Sequence, residues 1–144
     1  MIDLVPFEPC HASMIDLQPA QAGEAMIITP AYAQGLFEAG YALSVVHDTR
    51  LVAAMGCANQ WPGLGVVWAL VSADAGPAML AMTRAARRWL DQCGLRRVQT
   101  TVRSDFAAGL RWIRALGFER EARLRFYGAE GEDHDLFVRI RRDT

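Results

Sequence analysis

The spacing of apolar and polar positions divides the chain into alternating strand-like and helix-like segments. Ile2-Asp3-Leu4-Val5-Pro6-Phe7 alternates and predicts a first strand, ended by Pro6 and Pro9. Residues 11–29 keep no single period; they allow a short helix near Ala20–Ala25 and a strand at Met26–Ile28. Thr29-Pro30 supplies a helix cap followed by proline at the first helical position, so a helix is predicted from Pro30 to Ala39, closed by Gly40. Tyr41–His47 and Leu51–Cys57 flank Asp48-Thr49-Arg50 and read as a hairpin. A loop with Trp61, Pro62, Gly63 and Gly65 leads to Val66–Val71, which is apolar on both faces, as a central strand is.

The second half is more regular. Gly76-Pro77 opens a long helix to Cys93, stopped by Gly94. Its apolar positions, among them Met79, Met82, Ala86, Trp89 and Leu90, follow helical spacing, with Arg84, Arg87 and Arg88 on the polar side. Arg97–Val102 alternates as a strand. Ser104 is placed to cap a helix over Asp105–Leu116 that Gly117 ends. Two strands, Glu121–Tyr127 and His134–Arg141, flank a turn with Gly128, Gly131 and Asp133. With no repeat, low-complexity tract or linker, residues 1–144 read as one α/β (α+β) domain: a mixed, mostly antiparallel sheet with helices on both faces.

Composition removes several function classes. At 52% hydrophobic and a net charge of −1, the chain is not disordered. The longest charge-free apolar stretch, Leu51–Ser72, is interrupted by Asn59, Gln60, Pro62 and glycines, so no membrane span is expected. The N-terminus lacks a basic region and an apolar run, so no signal peptide is expected and a cytoplasmic location is. Cys10, Cys57 and Cys93 are an odd set without CxxC spacing, which fits free thiols. Every basic residue is arginine, and the basic ones crowd the second half. Residues 1–83 hold Arg50 alone against seven acids, whereas residues 84–144 hold 14 arginines against nine. A two-faced molecule is expected. A sequence pI of about 6.3 argues against a dedicated nucleic-acid binder.

One stretch carries a family pattern. Val102-Arg103-Ser104-Asp105, continuing through Leu110-Arg111-Trp112-Ile113-Arg114-Ala115-Leu116-Gly117-Phe118, resembles the strand-to-helix segment of the GNAT (Gcn5-related N-acetyltransferase) superfamily. The resemblance covers about 80 residues from Val66 onward, and the first 60 only by element order. More narrowly, Val67-Trp68-Ala69-Leu70 followed by Arg84-Ala85-Ala86-Arg87-Arg88 is similar to small GNAT-like proteins of short-tailed phages, described as internal virion proteins or acetyltransferases. The resemblance implies acetyl-CoA or CoA as ligand, with cofactor contacts at Leu70, Val71, Ser72, Ala75, Gly76, Ala78, Arg84 and Phe106; from the ligand spacing, no metal is expected.

Three hallmarks of that family are altered. Its glycine-rich loop, whose N–H groups hold the CoA pyrophosphate, corresponds to Val71-Ser72-Ala73-Asp74-Ala75-Gly76-Pro77-Ala78, with one glycine, an acid and a proline. Asp74 either repels the phosphates or caps the following helix. The family's general-acid tyrosine falls at Ile113, which has no proton to give. Its pantetheine-contacting asparagine falls at Phe106.

Replacement chemistry has few candidates. His47, ending a strand beside Asp48, has the titration range of a general base; Tyr127 is the best stand-in for the missing tyrosine. Cys57 is a nucleophile only if a base lowers its pKa, and otherwise an inert buried thiol. His11 follows Cys10 without a third metal ligand at zinc spacing. His134, among Glu132, Asp133 and Asp135, reads as part of a solvated turn. Trp61, or the Arg84/Arg87/Arg88 face, could anchor a host protein partner. Three functions follow: an acyl-CoA-dependent N-acyltransferase, a phage protein that binds a host protein such as a metabolic enzyme, and an internal virion component. The altered loop predicts weaker CoA binding than a glycine-rich loop gives, and an Asp74→Gly variant that binds CoA more tightly in calorimetry.

Overall fold

A computed structural model of the chain describes residues 1–142. Seven strands form one sheet in the order β1-β2-β3-β4-β5-β7-β6. They are β1 (Ile2–Pro6), β2 (Ala42–His47), β3 (Arg50–Trp61), β4 (Leu64–Val71), β5 (Arg97–Arg103), β6 (Glu119–Leu124) and β7 (His134–Ile140). All neighbours pair antiparallel except β4 and β5, which run parallel for three positions, Leu64–Arg97, Gly65–Val98 and Val66–Gln99. Beyond Val66 the two strands part. No helix among the described residues is long and apolar enough to cross a membrane.

Helices cover both faces, as the pattern predicts. On one face lie α1 (His11–Met14), a 3-10 helix at Pro19–Met26, and α2 (Pro30–Glu38). Phe7, Ala12, Ile15 and Ala33 pack there against Ala54 and Leu70. On the other face lie a second 3-10 helix (Ala73–Ala78), α3 (Met79–Gln92) and α4 (Ala107–Ala115). Met82 meets Val45, Ala53, Met55 and Val71, and Leu90, Ile113 and Leu116 meet Val98 and Phe137.

The local signals mostly hold. Thr29 caps α2 by accepting the Tyr32 N–H at 3.1 Å, and Gly94 and Gly117 end their helices at φ +70 and +90. Five expectations change. Gly76-Pro77 does not open the long helix: both residues lie inside the 3-10 helix Ala73–Ala78, and the α-helix begins at Met79. Met26–Ile28 is not a strand, because the backbone there finishes the first 3-10 helix. Trp61 is the last residue of β3, paired with Leu64, rather than part of a loop; its side chain remains exposed. The final hairpin's first strand ends at Leu124, leaving Tyr127 in the turn. Ser104 does not cap α4. Phe106 holds that position without a side-chain bond, and the Ser104 hydroxyl donates to Asp135 instead, at 2.8 Å.

Among the described residues Asp135 is the buried charge. Burial opposes its ionisation, but the Ser104 hydroxyl and the Arg123 and Arg120 guanidinium groups outweigh that and hold it below the usual carboxylate range. Arg123 and Arg120 lie at 3.3 and 3.4 Å. Its stabilisation is therefore complete above the unfolded carboxyl pKa and is lost as pH falls through the lower folded value. Asp135→Ala should cost about 1.5–3 kcal/mol in denaturant unfolding at pH 7. The deficit should shrink in acid, where the wild-type carboxyl is itself protonated.

Candidate functional site: the cleft at the split sheet

Where β4 and β5 separate, a cavity of about 380 Å³ passes between the faces of the sheet. On the α3–α4 side it is walled by Met79, Ala86, Trp89, Phe106, Gly109 and Trp112. A bond from Trp112 Nε1 to Thr83 Oγ1, 2.8 Å long, joins the two helices there. Gly109 lets the Phe106 ring lie against the α4 backbone, since a Cβ would stand 2.5 Å from that ring. On the other side the walls are Gln18, Gln21, Glu24, Trp68, Arg103 and His134.

The edge of β4 that β5 leaves bare is closed by the first 3-10 helix. Gln18 N–H donates to the Val71 carbonyl at 2.8 Å. The Gln21 carboxamide donates to the Ala69 carbonyl at 2.7 Å and accepts the Val71 N–H at 3.0 Å. A single side chain thus makes the pair of bonds that a neighbouring strand would make. Three residues per turn stack positions three apart. Gln18, Gln21 and Glu24 therefore line one side of this helix, with Gln18 donating to Gln21 at 3.1 Å and Gln21 to Glu24 at 3.5 Å.

Glu24 faces the cavity, and burial raises its carboxyl above the usual glutamate range, only partly opposed by nearby His134. His134 donates from Nε2 to Glu132 at 3.3 Å, because a carboxylate can only accept. Its Nδ1 is buried and without a partner among the described residues. The Trp68 indole N–H on the cavity wall is likewise buried and unpaired. Tyr127 lies against the His134 ring, with centroids 5.2 Å apart. Tyr32 completes this rim; burial raises its phenol, with Glu24 and Tyr127 adding to the shift.

The sequence-selected residues divide accordingly. Val71, Ser72, Ala75, Gly76 and Phe106 line the cavity. Leu70 does not; its side chain points to the opposite face, against Phe7 and Ala33. Ala78 is wholly buried in the core under α3, and Arg84 is exposed outside the cavity. His47 sits at the far end of β2, 3.3 Å from Asp48, and is no part of the cleft. Ile113, in the family's tyrosine position, is buried. Glu24 and His134 were the residues missed. The signal for Glu24 was the polar triplet at spacing three, invisible to a search for 3.6-residue periods. His134 is not in a solvated turn but opens β7, with its side chain largely buried.

One other cluster differs from expectation, while Cys57 matches the inert-thiol reading. Glu8 joins Cys10 and His11, their ligand atoms within 4.8 Å of one another, so a third potential metal donor does exist there. His11 Nδ1 is already engaged by the Glu8 N–H and the Ser44 hydroxyl. Cys57 is buried, and burial, reinforced by nearby Cys93, pushes its thiol to about 11.

An acyl-CoA ligand fits this site in one part and not in another. The apolar passage, with an unpaired indole N–H in its wall, suits a pantetheine arm. The pyrophosphate cradle is built over. Asp74 N–H goes to the Ser72 hydroxyl, Ala75 N–H to the Ser72 carbonyl and Met79 N–H to the Gly76 carbonyl, while Pro77 has none. Asp74 does not cap α3. It pairs with Arg50 at 3.0 Å on the surface, so its charge matters less than the spent donors.

This strand order, split by a parallel pair and roofed by two helices, is shared with solved acetyltransferases. The ribosomal-protein-S18-alanine N-acetyltransferase of Escherichia coli superposes with a TM-score of 0.73 at 19% identity, covering 96% of this chain and 92% of that one. Ard1 from Thermoplasma volcanium gives 0.78 at 14% identity, over 99% of both chains. The ribosomal-protein-S5-alanine acetyltransferase of Vibrio fischeri gives 0.67 at 18%, over 99% and 94%. The fold is the GNAT fold. No protein-family model and no curated protein sequence matches the chain.

The thiols offer a direct check on this GNAT-fold site. With a thiol reagent at pH 8, exposed Cys10 should react first and Cys57 only on unfolding. A fast phase that survives Cys10→Ser and disappears in Cys57→Ser would mean an activated thiol next to the cleft.

Proposed function

We propose that the protein is an N-acyltransferase that moves an acyl group from a pantetheine thioester, such as acetyl-CoA, to a primary amine. The observation that carries this reading is the half-buried carboxyl of Glu24 at a passage that runs through the split sheet. The thioester supplies an acyl carbon open to attack. The α3–α4 side receives the donor, and the side bearing Glu24, Tyr32 and His134 receives the amine.

An amine attacks only after losing a proton, and Glu24 takes it. A base with a raised pKa holds that proton better than an ordinary glutamate, and burial supplies the raise. His134 Nδ1 offers a second acceptor for the same ammonium group and fixes its approach. The Trp68 N–H is an unspent donor in the wall for a carbonyl oxygen. Ile113 cannot protonate the leaving sulfur, and Tyr127, beside His134, is the proposed source of that proton. Bringing donor and amine together supplies much of the rate, so loss of the usual tyrosine slows transfer without abolishing it.

A second reading, a phage-type protein that binds a host protein, draws on Trp61, which is 62% exposed at the β3–β4 turn. Co-purification lost in Trp61→Ala, with acyl transfer absent, would favour it.

Glu24→Gln should lower kcat about 10²- to 10³-fold. The sign of its effect on stability separates catalysis from folding. A carboxyl whose pKa rises on folding stabilises the fold when protonated and weakens it as pH climbs through that pKa. The Gln variant should therefore melt no lower than wild type at pH 7. The acid limb of the wild-type kcat/KM profile should lie above the ordinary glutamate range and vanish in Glu24→Gln; an unchanged limb would reassign the base.

A further inference from the structure

The donor side of the cleft has a pantetheine passage without a pyrophosphate cradle, and beside it a basic helix face that no described carboxylate neutralises. Arg84, Arg87 and Arg88 are all exposed on α3 and make no ion pair with a described residue. Arg50, Arg97, Arg103, Arg120, Arg123, Arg139 and Arg142 each meet a carboxylate; Arg96, Arg111, Arg114 and Arg125 meet none among the described residues either, and what sets α3 apart is that three such arginines stand together on one helix beside the cleft. Spacings of three and four put the α3 arginines beside one another, where like charges repel. The carboxylate one turn from Arg87, Asp91, is taken by Arg139 at 2.6 Å. Leu80, one turn before Arg84, is 61% exposed and gives the same side of the helix an apolar contact. Met79, Ala86 and Trp89 of this helix line the passage, so the basic face is the outer side of the cavity's own wall.

We propose that the natural acyl donor is an acidic carrier protein that bears the acyl group on a phosphopantetheine arm, docked on Leu80, Arg84, Arg87 and Arg88 with its arm in the cleft. This rests on the acyltransferase reading above and names its donor. Such a donor has one phosphodiester in place of a pyrophosphate and nucleotide, so it has no need of the N–H groups that the Ala73–Ala78 helix has spent. Its acidic surface provides the carboxylates that α3 lacks. In the transfer, the amine nitrogen forms a C–N bond to the thioester carbonyl carbon and the C–S bond breaks. The proton lost by nitrogen is balanced by the one gained by sulfur. The products are an amide and the carrier's free pantetheine thiol, with no oxidant or reductant involved.

The test compares three donors in calorimetry at low salt and in single-turnover transfer to an amine: acetyl-pantetheine, acetyl-CoA, and the acetylated holo form of a bacterial acyl carrier protein. The carrier should bind tightest, and its affinity should fall steeply with salt. A triple Arg84→Glu, Arg87→Glu, Arg88→Glu variant should weaken the carrier by about tenfold or more and leave acetyl-pantetheine where it was, with an unchanged melting temperature. If acetyl-CoA binds as tightly as the carrier and the triple variant weakens it equally, the arginines serve nucleotide phosphates. The carrier proposal then falls while the acyltransferase reading stands. If none of the three thioesters binds or reacts, the acyltransferase reading itself is overturned.

Discussion

The parallel pairing of β4 with β5 stops after three residues, and the rest of the molecule is arranged around that break. A sheet that parts in its middle exposes backbone donors and acceptors that must be satisfied. Here Gln21 satisfies an N–H and a carbonyl of β4 with one side chain, and Gln18 satisfies another carbonyl through its backbone. That seal pins the Pro19–Met26 helix to the break. It also sets Glu24, one turn further along, over the opening it leaves. The placing of the half-buried Glu24 carboxyl is thus a consequence of how the sheet edge is closed.

The two faces of the opening are built by different means. On the α3–α4 side apolar packing predominates, and the single Trp112–Thr83 bond fixes the spacing of the two helices. On the other side a chain of polar groups runs from Gln18 to Glu24, and His134 and Glu132 add a second polar pair. An apolar wall suits the flexible arm of a donor. A polar wall with one carboxyl pushed up by burial suits an amine that must shed a proton. The asymmetry of chemistry follows the asymmetry of packing.

Much of this fold was legible because its signals are local. Thr29-Pro30, Gly94 and Gly117 set helix ends through backbone chemistry that no tertiary contact overrides, and the apolar run Val66–Val71 could only be a central strand. The site was less legible. A 3-10 helix has a three-residue repeat that a helical-period search misreads, which hid Glu24 and suggested a strand at Met26–Ile28. His134 looked solvated because its neighbours in sequence are acids, yet pairing of β7 with both β5 and β6 buries it. Leu70 and Ala78 failed as ligand contacts for a simpler reason. Alternation sends Leu70 to the other face, and the turn of the helix sends Ala78 into the core.

The departures in the donor half form a consistent set. Removing glycines from the β4–α3 turn lets it wind into a 3-10 helix whose N–H groups bond internally, and Pro77 removes one more. Asp74 is then free to pair outward with Arg50 rather than face a phosphate. A loop that had merely decayed would be expected to leave bare N–H groups and a neutral surface. This one spends the N–H groups of Asp74, Ala75 and Met79 internally, and three arginines without a described ion-pair partner stand on the outer side of α3, where like charges repel. An anionic surface broad enough to meet all three offsets that repulsion. Such a surface is larger than one pyrophosphate and is the size of a docked protein.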